Sequence, residues 1–330
     1  MSDTTDTRAG DEAADRAPGS RLLDPRLWAA IGFVLLVIAP HFLYPVMLAK
    51  VLCFALFAAA FNLLLGFAGL LSFGHAAFFG FAAYVTGYAL QSLRLSAELG
   101  ILAGTAVAAL LGLAFGLLAI RRQGIYFAMI TLALSQMVYF VALQAPFTGG
   151  EDGLQGVPRR PLFGLIDMSS NLDVYYLVLG VFSIGLFIIY RTVHSPFGHV
   201  LKAIRENEAR AVSLGYDADR YKLLAFVLSA ALSGLAGSTK VMVFQLASLT
   251  DVQWQMSGEV VLMAVLGGIG TMLGPLVGAT IIVTLQNELA QVGSLSTIVH
   301  GAVFVVCVLL FRRGIVGEIG HRLRRWRGSR

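Results

Sequence analysis

Stretches without Asp, Glu, Lys or Arg follow one another almost end to end along the chain, at 27–49, 51–93, 99–120, 123–150, 174–190, 223–239, 260–287 and 289–311. A charge at the centre of a bilayer costs about 2.5–3.5 kcal/mol on insertion, so each run marks a segment that can lie in hydrocarbon. About 20 helical residues cross an apolar core about 30 Å thick. The run 51–93 is therefore long enough for two crossings, broken near its glycine-rich stretch 66–74. The runs 174–190 and 223–239 are short, and flanking Tyr, Thr and snorkelling residues lengthen them. This pattern predicts an all-α, polytopic membrane helix bundle of about eight spans with one re-entrant hairpin.

The hairpin follows from parity. Residues 1–26 form a polar tail that lacks the basic start and small-residue cleavage site of a signal peptide, and we read it as a retained cytoplasmic tail. With that tail inside, nineteen Lys and Arg fall in inner segments, and Lys50, Arg94, Arg159 and Arg160 fall outside. Residues 258–290 then enter from outside, and one crossing there would leave the basic tail 313–330 on the wrong side. Their charge-free part, 260–287, has 28 residues, about 42 Å as one helix, too long for one crossing and too short for two. Gly267, Gly268, Gly270, Gly274 and Pro275 break it into arms of about ten and fifteen residues. Backbone broken at that depth must face protein or water, which makes Gly267, Gly268 and Gly270 candidates for a solute pathway. The permease domain so defined spans 27–312, with a cytoplasmic loop at 192–220.

Composition narrows the function. The 330 residues are 57% apolar and only 13% charged, too little polar surface for one water-soluble core. Cys53 and Cys307 both sit in apolar runs and offer neither a disulfide framework nor a cysteine-rich zinc site. The net charge of +5 is distributed between apolar runs, which fits a membrane surface and not nucleic acid. Gly100, Gly104, Ala108, Gly112 and Gly116 recur at every fourth position, as do Ser229, Ser233 and Gly237, a spacing that lets helices approach closely.

Catalysis would require a nucleophile with a base, paired carboxylates or a ligand cluster, and none is spaced for it. No Gly-Lys dipeptide occurs, so there is no P-loop, and any ATP-driven step belongs to a partner. The expectation is a protein that is not an enzyme and holds no cofactor or metal. Within the runs, Asn62, His75 and Gln136 read as hydrogen-bonding residues inside the bundle and as weaker pathway candidates. Lys240 is either a lysine snorkelling to the outer interface or a counter-charge for a substrate carboxylate. Glu259 is either an interface anchor or a contact for an ammonium group.

The informative polar segment is the inner loop Arg191 to Lys222. Ser195-Pro196 opens a helix and Gly215 closes it, with apolar Leu201, Ile204, Ala211, Val212 and Leu214 and charged Lys202, Arg205, Glu206, Glu208 and Arg210 between. A single amphipathic helix over 199–214 is expected, either a simple surface helix or one that docks in a groove on a soluble protein, which its mixed charge suits better than an anionic lipid surface.

Here the sequence resembles the permease subunits of branched-chain amino acid ABC transporters of the LivM type. The likeness is carried by KAIRENEARAVSLGYDADRYKLLAFVLSAALSGLAG at 202–237, NLLLGFAGLLSFGHAAFFG at 62–80, TGGEDGLQGVP at 148–158 and VVLMAVLGGIGTMLGPLVG at 260–278, with FRRGIVG at 311–317. The resemblance implies half of a translocation pathway for aliphatic amino acids in a bacterial inner membrane, both termini cytoplasmic. It also implies a second homologous permease, two cytoplasmic ATPases that bind the ATP, and a periplasmic substrate-binding protein. Arg205, Glu206, Glu208, Arg210, Ala211 and Gly215 would couple the ATPases to the spans. A permease for urea or short amides is the nearest alternative, and a self-sufficient secondary transporter or channel is a more distant one.

Overall fold

The computed structural model describes residues 25–164 and 167–289, together with 301, 305 and 314–318. The polar tail up to residue 24 lies outside the described residues, as do the expected last span and the basic tail apart from those few positions.

The described residues up to Tyr44 belong to a first unit. It contains α1, Pro25–Ile38, which runs into a 3-10 turn at Ala39–His41. Phe33, Val34, Leu35 and Ile38 are exposed on it. The first apolar run is therefore not one span ending at residue 49. Pro40 and Pro45 interrupt it, because proline lacks the N–H a helix interior needs and disfavours the helical region for the residue before it.

From Pro45 onward the chain forms a second unit. Up to Leu289 its helices are α2 (Pro45–Asn62), α3 (His75–Gln91), α4 (Ala97–Ala119), α5 (Ile125–Gln144), α6 (Asn171–Val193), α7 (Pro196–Glu206), α8 (Glu208–Ser213), α9 (Ala218–Phe244), α10 (Trp254–Gly267) and α11 (Gly274–Leu289). Two short strands, β1 (Leu154–Gln155) and β2 (Leu246–Ala247), pair antiparallel. Pro45 occupies the first turn of α2, where a missing N–H is harmless, so Lys50 falls inside a helix and not between two. Among the described residues, five helical segments are long and apolar enough to cross a membrane: Pro45–Ala68, Ala97–Ala119, Ile125–Gln144, Asn171–Val193 and Ala218–Phe244. The bundle is all-α and polytopic. The two short runs are lengthened as expected, α6 taking in Asp173 and Arg191, and α9 taking in Lys222 and Lys240.

Burial separates a centre from a shell. The spanning window of α2 and its continuation is 94% buried and that of α9 is 72%, whereas those of α4, α5 and α6 are 33–39%. The outward residues of the shell are apolar, among them Leu102, Leu110 and Leu117 on α4, Met129 and Phe140 on α5, and Ile184 and Phe187 on α6. Helices that are apolar all round need either protein or lipid on every side. The α4 stripe meets α9 at Ala230, Gly234 and Ser238, one position on from Ser229, Ser233 and Gly237. Of the latter three, Gly237 packs on the Phe79 backbone of α3 and Ser229 bonds to Ala60 and His75. Ala108 faces Gly234, Gly112 faces Ala230, and Gly104 lies against Thr86 and Ser238, so α4 sits directly on α9 with α3 beside it. Polar side chains tie α9 to its neighbours: Thr86 of α3 donates to the Ser238 hydroxyl at 2.8 Å, and Ser229 donates to the Ala60 carbonyl of α2 at 2.6 Å.

The run 260–287 is broken where expected. α10 begins four residues before 258 and has 14 residues, and α11 has 16, about 21 and 24 Å long. They pack on each other as a hairpin, and both pack on α2. The expected single helix 199–214 is instead two. Asn207 is extended at φ −156° and ψ 96°, and its side chain accepts from the Arg210 N–H at 3.0 Å, starting α8 afresh. An asparagine that can cap a new helix competes with continuation of the old one.

Candidate functional site

Beyond Asn62 the helical path continues but widens into a π-helical turn, Leu63–Ala68, closed by Gly69 at φ +75°. A π turn shifts the backbone pairing, so a carbonyl at its edge needs a donor from elsewhere. Arg205 Nη1, reaching in from α7, donates to the Gly66 carbonyl. The approach is close enough that a Cβ on Gly69 would meet the Arg205 side chain.

The hairpin tip arrives at the same place. Asn62 grips it with both ends of its amide: Nδ2 donates to the Thr271 carbonyl at 2.9 Å, and Oδ1 accepts from the Gly270 N–H at 2.9 Å. A Cβ on Gly66 would overlap the backbone of Gly270. Gly268 and Gly270 hold φ values of +122° and +76° that glycine tolerates best, and Gly267 touches the Gly274 backbone where the two arms cross. Thr271 then accepts from the Gly274 N–H at 3.1 Å and starts α11. The sequence candidates Asn62, Gly267, Gly268, Gly270 and Arg205 are thus neighbours, although 139 residues separate Gly66 from Arg205.

This contact makes a prediction. Asn62→Asp keeps the acceptor and removes the donor, setting a carboxylate against the Thr271 carbonyl. The expected cost is about 1–3 kcal/mol, read as a lower melting temperature of the purified protein. An unchanged transition would show that the tip is held by other contacts.

α7 begins with the Ser195 hydroxyl accepting from the Gly198 N–H at 3.4 Å and buries Gly198, Leu201 and Ile204. Of the other candidates in this loop, Glu206 and Arg210 are exposed, Ala211 is buried, and Gly215 ends α8 at φ +90°. Glu208 faces inward: it pairs with Lys222 at 2.6 Å and accepts from Gln123 at 2.8 Å. Lys222 is 3% exposed, so Glu208 braces the start of α9. Val212, Leu214 and Tyr216 supply an exposed apolar patch beside Arg210.

A second group of polar residues sits at the opposite end of α9. The Lys240 ammonium lies 2.5 Å from the Asp251 carboxylate, with side-chain exposures of 11% and 3%. The lysine is therefore paired within the chain. Asp251 escaped the sequence reading; the available signal was that it is the one acid between Asp219 and Glu259. Glu259 accepts from Gln286 at 2.9 Å, which ties α10 to α11, and Lys50 lies within electrostatic reach of Lys240, Asp251 and Glu259. Nearby, Arg159 donates to the Met242 and Val243 carbonyls at 3.2 and 3.0 Å, satisfying the last turn of α9. Burial pulls its guanidinium below the usual arginine value.

His75 and Gln136 stand apart from both places. His75 is fully buried, edge-on to Phe61, Phe78 and Phe226, with Nε2 2.8 Å from the Ser229 hydroxyl. Because that hydroxyl donates to Ala60, Nε2 must be the donor. Gln136 is half-buried on α5 and touches neither group. Among the described residues no cluster of three or more His, Cys, Asp or Glu could hold a metal.

The family model described as the permease component of branched-chain amino acid transport systems matches residues 46–308. The chain belongs to this family. Among curated relatives it is similar to the high-affinity branched-chain amino acid transport system permease protein LivM of Salmonella typhimurium and to LivM of Escherichia coli. Each is 27% identical over 278 residues, covering 77% of this chain and 65% of the relative. The matched stretch thus spans just under two thirds of those relatives' length. It is also similar to the ribose import permease protein RbsC of Bacillus subtilis, 29% identical over 196 residues, covering 54% of this chain and 58% of that one. No solved structure matches it. The relatives' names thus include more than one solute.

Proposed function

We propose that the chain is one permease subunit of an ABC importer for branched-chain amino acids. It supplies half of a pathway completed by a second, homologous permease. Two cytoplasmic ATPases bind and hydrolyse the ATP, and a periplasmic binding protein delivers the solute. In this reading the protein lies in a bacterial inner membrane with both termini cytoplasmic, catalyses no reaction itself and needs no cofactor of its own. α7 and α8 face the cytoplasm and the Lys240–Asp251 end faces outward. The hairpin α10–α11 re-enters from outside.

The observation that carries the reading is the junction at Arg205. A helix that a soluble partner can push is bonded to the π turn of α2, and that turn touches the tip of the hairpin. A rigid helix docked at the base of a bundle passes on rigid-body movement, which is what alternating access requires. Val212, Leu214 and Tyr216, with Arg210 beside them, form the face offered to the ATPase. Arg205 and Glu208 carry the displacement inward, to the hairpin tip and to α9.

Reconstitution tests this. Proteoliposomes with both permeases, both ATPases and ATP should accumulate leucine when loaded binding protein is supplied outside. The same vesicles with Leu214→Glu should lose ATPase co-purification and uptake together. Uphill leucine uptake by this chain alone, or uptake of urea in preference to leucine, would overturn the assignment.

A further inference from the structure

A cavity of about 350 Å³ lies where α7, the π turn of α2 and the hairpin tip meet. Its walls are Lys202, Arg205 and Glu206 from α7, Gly66 and Phe67 from the π turn, and Gly270 from the tip. The three charged residues are spaced i, i+3 and i+4, so they share one face of α7. That face is turned toward the hairpin, whereas Val212 and Leu214 mark the exposed face of α8.

The charges are not used up by the fold. Arg205 spends one nitrogen on the Gly66 carbonyl, and its remaining N–H groups have no partner among the described residues. Lys202 rests over the Phe67 ring at 5.5 Å, and neither it nor Glu206 forms an ion pair with any described residue. Two cations and one carboxylate, held apart around a small space with an aromatic wall, complement a molecule bearing both charges and an apolar body. The guanidinium and ammonium suit a carboxylate, Glu206 suits an ammonium, and Phe67 with the glycine backbone suits an aliphatic side chain.

We propose that this cavity is a binding site for a zwitterionic α-amino acid with an apolar side chain, reached from the cytoplasm. The inference rests on the reading of the chain as an amino acid permease and adds a second place where the solute is held. Because α7 forms one wall and the hairpin tip another, an occupant ties together two elements that transport must move apart. Solute accumulated in the cytoplasm then slows its own import.

Equilibrium dialysis of labelled leucine against the purified complete transporter, without ATP or binding protein, reads the site directly. Wild type should bind saturably. Lys202→Gln and Glu206→Gln should each weaken binding tenfold or more, and Lys202→Arg should retain it. 4-Methylpentanoate, which lacks the ammonium, should compete at least tenfold less well than leucine. In proteoliposomes, leucine preloaded on the ATPase side should lower the initial import rate at least fivefold, and the two glutamine variants should escape. Absence of leucine binding, binding unchanged in both glutamine variants, or equal competition by 4-methylpentanoate would each overturn the proposal. Failure of import with intact, variant-sensitive leucine binding would overturn the importer assignment and leave the site standing.

Discussion

Asp251→Asn is expected to unfold most of the protein during purification, or to lower its melting temperature more than any other single polar substitution in the chain. The Lys240–Asp251 pair is almost sealed from solvent. Removing one partner of such a pair leaves an uncompensated buried charge and costs about 3–5 kcal/mol. The pair also holds the 3-10 turn Leu249–Asp251 to α9, just before α10 begins, so its loss would free the entry to the hairpin. The double variant Lys240→Met, Asp251→Leu should recover most of the lost stability, since well-packed apolar replacements of a buried pair are often neutral. If Asp251→Asn melted with wild type, the pair would contribute nothing. If the double variant were worse than the single one, packing and not charge would dominate.

Gly237→Ala is expected to be as damaging although it adds one methyl group. A Cβ at this position would overlap the Phe79 carbonyl, which belongs to the backbone of α3 and cannot rotate away. α3 and α9 would have to separate, weakening the His75–Ser229 and Thr86–Ser238 hydrogen bonds that cross the same contact. The expected cost lies at or above the upper end of the about 1–3 kcal/mol typical of overpacking. Gly180 on α6 has no atom within 4 Å of the corresponding position, so Gly180→Ala should leave stability unchanged or raise it slightly. Size-exclusion profiles of the two variants, expressed alike, would check both. A monodisperse Gly237→Ala protein with wild-type yield would contradict the contact.

The parts of the fold legible in the sequence share a cause: lipid imposes a one-dimensional rule on what may lie in it. Charge-free runs located the helices, the glycine cluster at 66–74 located the turn between α2 and α3, and Gly267 to Pro275 located the hairpin break. Small residues every fourth position marked the face of α4 that packs on α9, whereas on α9 the marked set missed that contact by one residue and Gly237 packs on α3 instead. What escaped was set by other rules or by distance in sequence. Counting charges overlooked Pro40 and Pro45, which divide the first run without adding a charge. Asn207 lies among strong helix formers, and only its capping bond reveals why the helix stops there. Lys240 was visible and Asp251 was not, since a turn between them decides that they meet. Glu208 belonged to a recognisable block, yet its pairing with Lys222 and Gln123 required three segments to be assembled. The junction itself shows both sides: Asn62, Arg205 and Gly270 were each singled out, and their meeting was not.

The break at Asn207 divides the labour of the loop. α8 carries the oily outward patch and α7 carries the inward grip, with one extended residue as the joint between them. Torque applied to α8 reaches α7 through the joint and through the Glu208 brace to α9. Under the proposed reading, the surface that meets the ATPase can consequently change residue by residue without disturbing the end that grips the bundle. One scaffold could thereby be fitted to different motors.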